Sequence, residues 1–193
     1  NIMMQIATNE ALHANAPKFN KKEFEEAVDY ALTLTENHTD FYDKLKAAFF
    51  NAGVIFVILP NISGSRINGA TKKVGENIVL MVNDRRLYAD TFWFTLFHEI
   101  GHILSGDYGV SFDMEMGENE KLADEYARDR LIPSQQYDEF ISHRIFSPQS
   151  IKDFSKRIHR DPGIVLGRLQ KDGIVGYNDA KMNALKTQYK LRS

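Results

Sequence analysis

The sequence predicts an α+β fold: a small sheet of about three strands packed on a helical core, with a helical C-terminal part. Three observations carry this. One short β-branched run, VIFVIL, is followed by two extended segments around a Gly75 turn. Apolar residues recur at helical spacing on both sides of that region. Helices and strands are segregated along the chain and do not alternate, which points away from a parallel α/β architecture.

The elements follow in order. Residues 1–18 read as a loosely ordered lead-in. NKKEFEEAVDYALTLTENH (20–38) opens with Asn20 as an N-cap, and Phe24, Val28, Ala31 and Leu32 form an apolar stripe. TDFYDKLKAAFFNAG (39–53) repeats the pattern and stops at Gly53. VIFVIL (54–59), ended by Pro60, is a buried strand; segments 66–74 and 77–82 complete the sheet. A long helix is expected over 89–105 with Gly106 as its stop, and a second over 117–133 ending at Pro133. Shorter helices are expected near 134–145, 148–159, 163–171 and 178–189. The whole, 1–193, reads as one domain: N-terminal helices (1–53), small sheet (54–84), two central helices (89–133) and a helical C-terminal part (134–193).

Composition narrows the function classes. The 193 residues are 43% hydrophobic and 26% charged, with a formal net charge of -2, so there is no global attraction to nucleic acid or to a membrane surface. Residues 111–140 carry nine acidic against three basic side chains, and 151–193 carry ten basic against four acidic; solvated helix faces account for both. The basic end lacks the interleaved aromatics of a nucleic-acid surface. Absence of cysteine excludes disulfides and thiolate metal sites and suits a reducing cytoplasm. VIFVIL is too short to span a bilayer. Asn1 in place of an initiator Met suggests that a further segment precedes it in the natural protein.

The chemistry lies in TFWFTLFHEIGHILSGDYG (91–109), where His98, Glu99 and His102 interrupt an apolar helix. Polar groups buried there cost free energy unless something satisfies them. Positions i and i+4 share a helix face, so His98 and His102 point at one spot, half of a tetrahedral Zn2+ shell. Glu99 is turned about 100° away; it flanks the metal and can act as general base toward an attacking water. A third protein ligand is needed. Glu120 and Asp124 share a face of the next helix; Glu120 is the expected ligand, and Asp124 the acceptor for a ligand histidine's outer N–H. Glu115, Glu118 and Glu125 compete for the ligand role. Tyr108, Tyr126, Arg66 and His159 are candidate donors to a developing oxyanion. His13, His38, His143 and His159 sit among polar residues and read as surface histidines. FWF (92–94) reads as core, and NGATKK as an edge strand that could also receive a peptide by β-pairing.

FWFTLFHEIGHIL followed by EKLADEYARDRLIP resembles the ImmA/IrrE family of zinc metallopeptidases, with the gluzincin pairing of a His-Glu-x-x-His helix and a Glu-x-x-x-Asp helix. NAGVIFVILPNISGSRINGATKK upstream and FSPQSIKDFSKRIHRDPGIVLGRLQKDGIVGYND downstream are similar to the rest of that family, so the likeness covers nearly the whole chain. The family often has an acidic residue at the position of Leu122; leucine there favours Glu120 as the ligand. The resemblance implies a cytoplasmic, zinc-dependent regulatory endopeptidase that cleaves a repressor or antitoxin. Its alternative is a non-cleaving module that binds a toxin or DNA-bound partner. It further implies an N-terminal helix-turn-helix through which DNA could be reached.

Overall fold

The computed structural model describes residues 2–59, 67–83, 88–112 and 117–189. It is α+β, a small mixed sheet surrounded by helices. The described elements are α1 (Ile2–His13), α2 (Lys21–Thr33), α3 (Phe41–Asn51), β1 (Val54–Leu59), β2 (Ile67–Val74), β3 (Asn77–Asn83), α4 (Ala89–Ser105), β4 (Val110–Phe112), α5 (Glu118–Leu131), α6 (Ser134–Ser142), α7 (Pro148–Arg157), α8 (Pro162–Lys171) and the single turn α9 (Ala180–Asn183). Among the described residues no helix is long and apolar enough to cross a membrane.

The sheet runs β1-β3-β2-β4, with β1 and β3 parallel and the other pairs antiparallel. VIFVIL is unbroken in its apolarity because both faces of the sheet are covered. Alternate side chains point to opposite faces. Val54 and Phe56, with Ile78, Leu80 and Val82, enter the large core beneath the helices. Ile55, Val57 and Leu59, with Val79 and Met81, pack on the other face around Ala7 of α1. Asn20 caps α2 by accepting from the Glu23 N–H at 3.2 Å. Gly53, at φ +80°, closes α3; a Cβ there would lie 2.5 Å from the Phe19 backbone, so only glycine fits.

Four expectations need correction. Residues 2–13 form a helix, where a loose lead-in was expected, because Ala7 is fully buried against the back of the sheet. Ala7 is a single small residue, and no apolar stripe in α1 announces that contact. The helix expected over 178–189 is only Ala180–Asn183. Beyond it the chain extends to bridge Tyr88 through Gln188, and the Ala89 N–H donates to the Thr187 carbonyl at 2.8 Å. Tyr189 is thereby buried, its hydroxyl accepting from Trp93 Nε1 at 2.7 Å. The sheet gains a fourth short strand, β4. It pairs with Ile67–Ala70 of β2, so NGATKK is not a free edge along that stretch. FWF is core at Phe92 and Trp93, but Phe94 is half-buried and faces the site described next.

Candidate metal centre

Helix α4 is the spine of the molecule. Its apolar residues are buried on nearly every side, and it packs on β2, β3, α5 and α8. His98 and His102 are 9% and 5% exposed, and Glu99 is completely buried. A helix this enclosed holds its side chains in few rotamers, which preorganises whatever they bind.

Helix α5 crosses α4 at a point where both chains are small. A Cβ added to Gly101 would lie 3.2 Å from the Ala123 Cα and 3.3 Å from Tyr126 Cδ1. This close approach sets Glu120 and Asp124, one turn apart, opposite the two histidines. His98 Nε2 lies 3.0 Å from Glu120 Oε2, His102 Nε2 lies 3.2 Å from Glu120 Oε1, and the two Nε2 atoms are 3.1 Å apart.

These three separations test the site for a metal. A tetrahedral ion with bonds of about 2.0–2.1 Å keeps its donor atoms roughly 3.3 Å apart. Two imidazoles and one carboxylate are a borderline nitrogen and oxygen set, unlike the six to eight oxygens that calcium takes. The residues fit a metal ion: His98, His102 and Glu120 are the group among the described residues able to hold one. The other expected candidates are elsewhere. Glu118 is exposed at the start of α5, Glu125 pairs with Lys121 at 3.9 Å, and Glu115 lies outside the described residues.

The outer nitrogens are held by carboxylates. His98 Nδ1 donates to Asp124 Oδ1 at 2.8 Å, the partnership expected from the sequence. His102 Nδ1 donates to Asp107 Oδ2 at 3.2 Å, and this residue was not anticipated. The signal for it lay in SGD: Gly106 at φ +76° ends the helix and turns the next residue back. The Gly106 N–H donates to the Ile103 carbonyl at 3.1 Å and the Asp107 N–H to the His102 carbonyl at 3.0 Å, a Schellman closure. With Nδ1–H bound to a carboxylate, each imidazole turns its Nε2, the nitrogen a metal ion would take, toward the centre.

Charge at the site is unbalanced without a cation. Burial works to lower the His98 pKa, but the hydrogen bond to Asp124 and the charges of Glu99, Asp124 and Glu120 outweigh it and hold the pKa above its ordinary value. Burial likewise works to raise the Asp124 pKa, and the His98 hydrogen bond with the Lys171 charge holds it below the usual carboxylate range.

Glu99 gives no donor atom to this group; its carboxylate lies against β2. A Cβ at Gly69 would fall 2.4 Å from Glu99 Oε1 and 2.7 Å from its Cδ, so the carboxylate occupies the recess that glycine leaves in the strand. The register shift between Ile67 and Gly69 lies at the same place. On the His102 side a cavity of about 490 Å³ opens against Asp107, Gly109, Val110, Glu118 and Glu120.

Of the expected oxyanion donors, Tyr126 is half-buried in the α4–α5 crossing, Tyr108 is exposed just beyond Asp107, and His159 is exposed at the end of α7; Arg66 lies outside the described residues. Burial raises the pKa of both tyrosines, keeping them protonated as donors. The four isolated histidines are all exposed; His38 nonetheless pairs through Nε2 with the buried Asp161 at 3.0 Å. No family model and no curated protein matches the chain.

Proposed function

We propose that this chain is a zinc-dependent endopeptidase that hydrolyses a peptide bond in a specific protein partner, such as a repressor or antitoxin, as the ImmA/IrrE-like motifs imply. The observation that carries the reading is the meeting of His98, His102 and Glu120 at tetrahedral spacing beside a separately held carboxylate, Glu99. Zn2+ bound there supplies Lewis acidity, polarising a peptide carbonyl and making water a better nucleophile at neutral pH.

The residues divide the remaining work. Three side chains would hold the ion and leave a fourth position open for the reacting groups. Glu99 takes a proton from the attacking water and delivers it to the leaving amine. Its burial against Gly69 keeps bulk water from competing for that proton and holds the carboxylate in one place. Asp124 and Asp107 keep both imidazoles in the ligating tautomer. Cavities on both the His102 and the Phe94 sides of the centre support an endopeptidase, since a chain can continue past it in either direction.

The test uses zinc-loaded protein incubated with the proteins encoded beside it, with fragments read by mass spectrometry. Wild type should produce a defined cleavage. Glu99→Gln should fold, keep zinc and bind the same partner while cleavage falls by orders of magnitude; His98→Ala should lose both zinc and cleavage. A cellular effect that survives Glu99→Gln unchanged would overturn the peptidase reading in favour of a non-cleaving module.

A further inference from the structure

A second, larger cavity of about 960 Å³ adjoins the metal centre without containing any of its ligands. Its contact with the centre runs through Phe94, whose ring lies 6.5 Å from that of His98, and Lys171, whose Nζ sits 4.0 Å from the Phe94 ring centre. Phe92, Leu131 and Ile164 give it an apolar floor. A side chain of a polypeptide held at the metal therefore has a deep place to go beside His98.

The charge on the cavity wall is one-sided. Among the described residues its charged lining consists of Asp90, Arg128, Arg168, Lys171 and Lys186, four cations against one anion. Two of the cations are matched: Lys186 pairs with Asp90 at 3.0 Å and Arg168 with Asp172 at 2.7 Å. The other two are not. Among the described residues Arg128 pairs only with its exposed sequence neighbour Asp129, at 3.8 Å, and such surface pairs are weak. Lys171 reaches Asp124 Oδ2 only at 4.0 Å, while the other oxygen of that carboxylate is engaged by His98. Arg128 stands one turn from Asp124 on α5, so both surplus cations flank the same stretch of wall between cavity and metal.

We propose that this cavity receives an acidic side chain, Asp or Glu, of the bound polypeptide, next to the bond held at the metal, with Arg128 and Lys171 taking its carboxylate. The apolar floor accommodates the methylene stem and the two cations supply charge-assisted hydrogen bonds at its end. The arrangement selects substrates by charge at one position. The inference rests on the peptidase reading for the polypeptide nature of the ligand.

Binding is measured without turnover, by fluorescence anisotropy on zinc-loaded Glu99→Gln protein, so a failure of cleavage and a failure of this inference are separate results. The probes are three labelled hexapeptides identical except for Glu, Gln or Lys at the third position. The Glu peptide should bind about tenfold more tightly than its Gln isostere, and the Lys peptide weakest. Adding Arg128→Gln and Lys171→Gln should equalise Glu and Gln; Arg128→Glu with Lys171→Glu should reverse the order in favour of Lys. The two side chains are 45% and 56% exposed, and retained thermal unfolding and zinc content confirm that the variants report on binding. Equal binding of the Glu and Gln peptides, no binding of any peptide at millimolar concentration, or a Glu preference that survives both double variants overturns the proposal. So does displacement of the Glu peptide by an equal concentration of free glutamate, which would make the cavity a small-anion site.

Discussion

Asp107 holds His102 twice: its backbone N–H donates to the His102 carbonyl at 3.0 Å, and its carboxylate accepts from the His102 ring at 3.2 Å. The helix stop and the orientation of a candidate metal ligand are thus one device. The loop that follows is anchored in turn, because the Thr71 N–H of β2 donates to the Gly109 carbonyl at 2.8 Å. The outer nitrogen of His98 is held from a different helix, by the Asp124 side chain.

The two carboxylates should therefore matter in the same way but not to the same extent. Asp124→Asn and Asp107→Asn should each fold and weaken zinc affinity by roughly 10–100-fold, as losses of such outer partners do. Asp124→Asn should have the larger effect, since its hydrogen bond to the ligand-side ring is the shorter, 2.8 against 3.2 Å. Competition against a chromogenic chelator measures both. Wild-type affinity in either variant would show that the carboxylate does not orient its histidine.

Gly69→Ala tests the recess behind Glu99. The added methyl would meet the Glu99 carboxylate at well under contact distance, and strand backbone cannot retreat as a side-chain tip can. Zinc affinity should stay within about threefold, whereas the proposed cleavage should fall by about 10²-fold or more, as expected for a misplaced catalytic group. A variant with unchanged turnover would place the working position of Glu99 elsewhere.

Metal uptake should depend on pH through His98. Its pKa is raised above the ordinary 6.5, so the metal-free folded protein retains a proton there that ligation must displace. Below that raised pKa, zinc affinity should drop about tenfold per pH unit for this one proton and level off above it. For the metal-free protein the sign is opposite in consequence: the stability contributed by protonated His98 is full below 6.5 and is lost as pH rises through the folded-state pKa. Zinc titrations and thermal melts of chelator-treated protein between pH 5 and about 9 check both; affinity independent of pH over that range would contradict the charge balance described.

Tyr189→Phe probes the C-terminal segment. It removes the acceptor for the buried Trp93 indole N–H, and stranding such a donor costs about 1–3 kcal/mol. Urea unfolding should show that loss with zinc affinity unchanged, since Trp93 faces the core and not the metal. A neutral substitution would mean that the segment from Thr187 to Tyr189 contributes little to holding α4 in place.

What was legible in the sequence is what one element decides alone. His98 and His102 converge because they are four apart on a helix whose other faces are apolar, and Gly106 ends that helix because a left-handed turn follows it. VIFVIL announces a strand covered on both faces, and Asn20 a helix start, for equally local reasons. Relationships between elements had to await the tertiary structure. Glu120 meets the histidines, while Glu118 and Glu125 do not, because Gly101 and Ala123 let two helices cross closely at one point. The packing of Ala7 under the sheet and the return of Tyr189 to Trp93 likewise join residues far apart in the chain. Periodicity records which side chains share a face, but not which distant surface that face meets; that choice is made by the collective burial of the core, and it turns two converging histidines into a site with a third donor.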